Sequence, residues 1–265
     1  MESLHFAAAR GAASLFDLTG RLALVTGSSR GIGRALAQGL ASAGASVVLH
    51  GRGGAALESS ATALAESGGT VFTTSFDVTD AAAVRSGVEA LLSDHGTPDI
   101  LVNNAGVQRR APFTEFAAAD WDEVIATNLS SAFYVSRALA PAMAERGSGK
   151  IINIGSVQSV LARQTIAPYS ASKGGLVMLT KGMAADLAQY NIQVNALSPG
   201  YFATEMNEAL WGDPVFNDWV INRTPARRWG RVEELVGTLI YLAADASAFV
   251  SGQNILVDGG MTSVV

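Results

Sequence analysis

Leu22-Ala23-Leu24-Val25-Thr26-Gly27-Ser28-Ser29-Arg30-Gly31-Ile32-Gly33 is the stretch that decides the fold. Its first four residues are apolar without a break, the pattern of a strand buried on both faces. A glycine-rich turn follows, and Gly31 to Ala43 then reads as a helix closed by Gly44. Glycines at such a junction let the backbone approach a pyrophosphate, while the helix N-terminus supplies amide donors and partial positive charge. The spacing here is G-x-x-x-G-x-G, not G-x-G-x-x-G. A tight turn alone would also select glycine, so the loop takes its meaning from its surroundings.

The alternation continues outward from that loop. Ser46-Val47-Val48-Leu49, Val71-Phe72-Thr73-Thr74, Ile100-Leu101-Val102, Ile151-Ile152-Asn153-Ile154, Ile192-Gln193-Val194-Asn195-Ala196 and Asn254-Ile255-Leu256-Val257 read as further strands. Helical segments are expected near 55–67, 80–94, 120–146, 168–190 and 231–244. Nearly all-apolar strands alternating with helices predict an α/β fold, a single doubly wound, Rossmann-like parallel sheet with helices on both faces. No Pro- or Ser-rich linker divides the 265 residues. Residues 17–265 are therefore expected to form one dinucleotide-binding catalytic domain behind an N-terminal extension, 1–16. Residues 201–229 interrupt the alternation just after the sixth strand and are rich in Trp, Phe, Asn, Asp and Arg. At the ligand-binding edge of such a sheet they suit a substrate lid, with a surface excursion as the plain alternative.

Composition removes several classes of function. The net charge is −5 and the charges are scattered, with no basic stripe for nucleic acid. There is no cysteine, which excludes disulfides and thiolate chemistry and fits a reducing compartment, so a cytoplasmic location is expected. The first residues lack a basic patch ahead of an apolar run, and no stretch of about 18 uncharged apolar residues occurs, so neither a secretory signal nor a membrane partner is expected. His5, His50 and His95 lie far apart and suggest no metal site.

The end of the second strand bears on cofactor choice. A site selective for NAD commonly places Asp or Glu there to hold the ribose hydroxyls. This chain has His50-Gly51-Arg52, and Arg30 lies in the glycine loop. Two forked guanidiniums suit a 2′-phosphate, so NADP(H) is expected, with some use of NAD(H) left open. Two solvent-facing arginines are the bland alternative. Asp77, with Val78 beside it, is placed to meet the adenine; Asn104, Ala105 and Gly106 are placed on the nicotinamide side. Asp and Asn at strand ends also form turns unaided.

The candidate chemistry lies further on. Tyr169 and Lys173 are spaced to share one helix face, and Ser156 precedes them. A free phenol, with a pKa of about 10, is a poor base at neutral pH. A neighbouring cation favours the phenolate, and a serine hydroxyl can hold a substrate oxygen against it. Together they form an acid–base device for interconverting an alcohol and a ketone. Y-x-x-x-K alone is equally an ordinary solvated pair.

Taken together, Thr26–Gly33, Asp77, Asn103–Gly106, Asn128, Ser156, Tyr169, Lys173 and Ser198-Pro199-Gly200 resemble the short-chain dehydrogenase/reductase family. The resemblance implies that Gly27, Ser29, Arg30, Gly31, Ile32, Gly33, Arg52, Pro199, Gly200 and Thr204 contact the cofactor. It implies that Tyr169 is the acid–base residue, that Lys173 lowers its pKa and holds the nicotinamide ribose, and that Ser156 orients the substrate oxygen. Asn128 would hold a water continuing a proton relay; by itself it would read as a helix kink or cap.

A narrower resemblance, to bacterial gluconate 5-dehydrogenases, rests on Gln108-Arg109-Arg110-Ala111-Pro112, Ser156-Val157-Gln158-Ser159 with Leu161-Ala162-Arg163, Pro199 to Met206, and Arg223-Thr224-Pro225-Ala226 with Arg228-Trp229-Gly230. It implies NADP-dependent interconversion of D-gluconate and 5-keto-D-gluconate. A sugar acid needs a cation for its carboxylate and polar groups for its hydroxyls. Ser156, Gln158, Arg109, Arg163 and Tyr201 are the candidate substrate residues; Arg109 and Arg163 would each serve equally at the surface or a subunit interface, and the reading of Arg110 leans to the interface. Trp211, Trp219 and Trp229 are expected to pack the lid. The chain departs from the family at Gly155, where many members carry a second serine. The same set would also serve a 3-oxoacyl-thioester reductase or another sugar-acid or polyol dehydrogenase; a silent NADP-binding protein is the remote reading. The family resemblance further implies a homotetramer or homodimer built on 120–146, 168–190 and the C-terminal region.

Overall fold

The protein is described by a computed structural model over residues 11–204 and 207–265. Seven strands form one parallel sheet: β1 (Leu22–Val25), β2 (Ser46–Gly51), β3 (Val71–Ser75), β4 (Ile100–Asn103), β5 (Gly149–Ile154), β6 (Ile192–Pro199) and β7 (Asn254–Val257). Their order is β3-β2-β1-β4-β5-β6-β7, the doubly wound arrangement expected from the sequence. Val25 stands opposite Leu49 on one side and Val102 on the other. The order reverses between β1 and β4, which opens a crevice at the carboxyl ends of those two strands.

Strand alternation explains why the central strands are largely apolar: both faces of β1 and β4 are buried, whereas β3 at the sheet edge is half polar. Ala23 and Val25 face one layer, with Leu36 and Leu40 of α1 (Gly31–Ser42) and Leu239 and Leu242 of the later helix Val236–Ala243. Leu24 faces the other, with Val84, Val88 and Leu91 of the helix Ala81–His95 and with Val135, Leu139 and Met143. A side chain such as Leu24 or Leu139, fully buried, contributes about 1.5–3 kcal/mol, so both layers hold the sheet that positions the site. The remaining helices in chain order make the labels α2 (Ala55–Glu66), α3 (Ala81–His95), α4 (Ala118–Ile125), α5 (Ser131–Arg146), α6 (Ala167–Leu187), α7 (Glu208–Trp211), α8 (Pro214–Arg223) and α9 (Val236–Ala243).

Two segments differ from expectation. The helix expected over 120–146 starts at Ala118 and contains a π-turn, Ala126–Ser130, between α4 and α5. Periodicity does not betray one inserted residue inside an otherwise helical run. Residues 201–229 carry two short helices, α7 and α8; the Asp213 side chain accepts from the Val215 and Phe216 amides to start the second. A bridge from Phe202 to Gly230 closes this excursion back onto the strand end. Expectations for residues 1–10 and for Glu205 and Met206 lie outside the described residues; Ala12–Phe16, within the expected extension, forms an exposed 3-10 turn. Among the described residues no helix is long and apolar enough to cross a membrane.

Candidate active site

The glycine loop is tied from behind. Thr26 Oγ1 accepts from the Asn104 and Ala105 amides at 2.9 and 3.1 Å. Asn104 Nδ2 donates to the Thr26 and Gly27 carbonyls at 2.9 and 3.0 Å. A Cβ on Gly33 would stand 2.4 Å from both Asn104 Nδ2 and the Gly27 carbonyl oxygen, so only glycine lets the helix start this close to the loop. Gly31, at φ +56°, has nothing within 4 Å of its Cβ position. The loop is thus rigid behind and open in front, the cradle that a pyrophosphate requires. His50 joins the support: its Nε2 lies 3.1 Å from the Phe76 carbonyl, and Nδ1 accepts from the Gly27 amide at 3.4 Å. Burial pushes its pKa down to about 4, so the ring is neutral at pH 7 and one nitrogen is free to accept.

Arg30 and Arg52 are exposed and form no ion pair among the described residues. Asp77 accepts from the Thr79 amide and hydroxyl at 2.8 and 2.7 Å. Those two bonds hold its carboxyl below the usual range, with a smaller contribution from Arg52. Val78 beside it is buried. These residues fit a phosphorylated dinucleotide: an open glycine cradle, the exposed guanidiniums of Arg30 in that loop and Arg52 after β2, and no carboxylate at the end of β2. Asn104 spends its side-chain Nδ2 on the glycine loop, and Ala105 and Gly106 follow it beyond the end of β4.

Ser156 follows β5, and its Oγ accepts from the Gln158 amide at 3.1 Å while also meeting the Tyr169 phenol. Tyr169 and Lys173 rise from the first turns of α6. Lys173 Nζ donates to the Ile154 carbonyl at 2.7 Å and sits 5.7 Å from the Tyr169 ring centroid. Lys173 was expected to lower the tyrosine's pKa. Instead burial raises it, against a smaller lowering from the Ser156 hydrogen bond. The lysine is itself perturbed: burial pushes Lys173 down to about 8. A desolvated ammonium directed at a carbonyl stabilises a phenolate less than one directed at the phenol.

Asn128 sits within the π-turn. Its Oδ1 accepts from the Val107 amide at 2.8 Å, and its Nδ2 donates to the Val107 carbonyl at 2.9 Å and to Ser172 Oγ at 3.1 Å. The side chain therefore clamps the loop after β4 to α6, beside Gly106 and Lys173.

Next to Tyr169 opens a pocket lined by Ser156, Gln158, Arg110, Arg163, Tyr201 and Gly200, among others. Tyr201 stands edge-on to Phe216, Trp219 and Trp229 at 5.8, 5.7 and 5.6 Å, so these rings pack as one aromatic block. Trp229 Nε1 is fixed by Asn217 Oδ1 at 2.8 Å. Arg163 stacks over Phe216 at 4.9 Å, and both its Nε and Gln158 Oε1 are buried without a partner.

The pocket corrects the assignment of the two neighbouring arginines. Arg109, expected at the substrate, turns away to Glu123 at 2.8 Å and Asp120 at 3.7 Å on the surface of α4. Arg110, expected at an interface, lines the pocket beside Arg163 and Tyr201.

The family model described as enoyl-(acyl carrier protein) reductase matches residues 27–262. The chain belongs to the short-chain dehydrogenase/reductase family. Within that family it is 55% identical over 248 residues to the gluconate 5-dehydrogenase of Gluconobacter oxydans (strain 621H), covering 94% of this chain and 97% of that one. It is 47% identical over 251 residues to the 5-keto-D-gluconate 5-reductase of Escherichia coli (strain K12), covering 95% and 99%. A crystal structure of a gluconate 5-dehydrogenase from Burkholderia cenocepacia J2315 in complex with NADP and tartrate superposes with a TM-score of 0.94 at 52% identity, covering 96% of this chain and 100% of that one.

Family membership leaves the departure at Gly155 to be explained by packing. A Cβ there would stand 2.2 Å from Ser198 Oγ, which is itself bonded to Asn254 Oδ1 at 2.5 Å. Ser198 fills the space that a side chain at residue 155 would need. His50 and Thr26 support the glycine loop, a role that the sequence did not assign to either. A polar residue at the end of each of β1 and β2 was the only signal for them.

Proposed function

We propose that this protein is an NADP(H)-dependent oxidoreductase that interconverts D-gluconate and 5-keto-D-gluconate. One observation carries it: Ser156 and Tyr169 line the same pocket as the cationic Arg110. A hydroxyl-facing end and a carboxylate-facing end are what a polyhydroxy acid needs. The near full-length likeness to enzymes named for this reaction supports the substrate.

Gly27, Ser29, Arg30, Gly31, Ile32 and Gly33 hold the cofactor's pyrophosphate, and Arg30 and Arg52 its 2′-phosphate. Asp77 and Val78 flank the adenine; Ala105, Gly106, Pro199, Gly200 and Thr204 bound the nicotinamide side, with Asn104 bracing the loop. The bound nicotinamide supplies or accepts the hydride. Ser156 orients the reacting oxygen. Tyr169 gives its proton to the ketone oxygen in reduction and takes it back in oxidation. A phenol raised by burial is protonated at neutral pH, which suits the reductive direction. Lys173, down at about 8, can pass a proton on. The amide of Asn128 is fully engaged with Val107 and Ser172, so any water it holds for the relay meets its main chain. Residues 17–265 act as one catalytic domain in a cytoplasmic homotetramer or homodimer.

Initial rates with NADPH and NADH on 5-keto-D-gluconate, 2-keto-D-gluconate and an acetoacetyl thioester test this. NADPH with 5-keto-D-gluconate is expected to give the highest kcat/KM. A higher value for the thioester, or for NADH, overturns the assignment.

A further inference from the structure

The pocket carries more positive charge than an aldonate can use. Arg110 reaches it from the loop after β4, and Arg163 from the loop after β5. The loops are cross-tied where the Ala111 amide donates to the Thr165 carbonyl at 3.2 Å. Thr165 holds a left-handed φ of +69°, an uncommon conformation for a β-branched residue and one that persists only where its surroundings impose it. The tie keeps two like charges side by side. Neither guanidinium meets a carboxylate among the described residues lining the pocket. Arg110 finds only Gln108 Oε1 at 3.3 Å, and Arg163 finds the face of Phe216, its Nε buried and unpartnered. Proximity to Arg163, together with burial, lowers the pKa of Arg110.

A single carboxylate offsets one of these charges and leaves the other partly desolvated and uncompensated, which is costly. Gln158 Oε1, also buried and unpartnered, calls for a donor such as a hydroxyl. We infer that the pocket has a second anion subsite at Arg163 and favours hydroxylated dicarboxylates of sugar-acid size over the matching monocarboxylates. This inference rests on the sugar-acid reading of the site. An aldaric acid then binds across Arg110 and Arg163, with an inner hydroxyl donating to Gln158, and competes with the aldonate.

Calorimetric titration of the full chain with D-glucarate and D-gluconate tests the inference. The two ligands share one carbon chain and differ in oxidation of the terminal carbon. Saturating NADPH is included so that neither ligand turns over. D-Glucarate is expected to bind at least about tenfold tighter, since a second charge-assisted contact is gained. Arg163→Gln is expected to bring the ratio of the two dissociation constants to near one. Arg163→Lys, which keeps the charge, should retain part of the preference and guards against a folding artefact. Equal binding of the two acids by the parent protein, or an unchanged ratio in Arg163→Gln, overturns the inference. If 5-keto-D-gluconate is turned over but D-glucarate gains nothing, only this inference falls. If no sugar acid is turned over and D-glucarate still binds tighter, the proposed reaction falls and the dianion site stands.

Discussion

Replacing Gly155 with alanine places a methyl group 2.2 Å from Ser198 Oγ, 3.4 Å from Ser198 Cβ and 3.6 Å from Ser198 Cα. Only the hydroxyl is in the way. Turning it aside breaks its bond to Asn254 Oδ1 at a position fully closed to solvent. Overpacking a core costs about 1–3 kcal/mol, and a buried polar atom left without its partner about 1–3 kcal/mol. Partial relaxation leaves an expected loss of about 2–4 kcal/mol. For a chain of this size that is a fall in Tm of roughly 5–15 °C by scanning calorimetry. The double variant Gly155→Ala/Ser198→Ala removes the obstructing atom and should melt above the single Gly155→Ala variant. Two results would refute the reasoning: a Gly155→Ala protein melting within about 2 °C of the parent, or a double variant whose losses simply add.

Tyr169→Phe should lower kcat by about 10²–10⁴-fold while NADPH fluorescence titration shows nearly unchanged binding; full turnover would remove the phenol from the mechanism. Arg110→Gln should raise KM for 5-keto-D-gluconate by roughly tenfold or more with a smaller change in kcat. Arg109→Gln, which loses only exposed ion pairs, should change neither by more than about twofold, and steady-state kinetics separates the two neighbours. The pH dependence follows from the raised phenol: oxidation needs the phenolate, scarce at neutral pH, so its rate should climb with pH, whereas reduction uses the abundant protonated form and should not. A shared optimum in the two directions would show that a different group titrates.

The fold was legible because the central strands are apolar on both faces and alternate with helical stretches. Leu24 and Val25 serve opposite layers, and that demand is visible in four consecutive letters. The glycine loop was legible for a similar reason, since Gly33 answers to a backbone contact that any side chain would break. Direction and dielectric were not legible. Whether Arg109 or Arg110 turns inward depends on which of the two meets Glu123 and Asp120, carboxylates supplied by a separate helix. The rise in the Tyr169 pKa depends on how deeply the residue is buried when α6 packs and, to a lesser degree, on Tyr201 beside it. Charge spacing along a chain carries neither fact.

The π-turn at Ala126–Ser130 also limits how this chain can vary. Its five residues, wound more loosely than in an α-helix, span about the arc that four would in a regular spiral, so the surplus residue is absorbed locally and α5 keeps its phase. Removing one residue there would leave Val135, Leu139 and Met143 near their seats against the sheet but would draw Asn128 away from Val107. A deletion at this place should therefore spare the fold and loosen the clamp. One surplus amino acid, invisible in any list of contacts with a ligand, keeps a clamp in register with the layer beneath it.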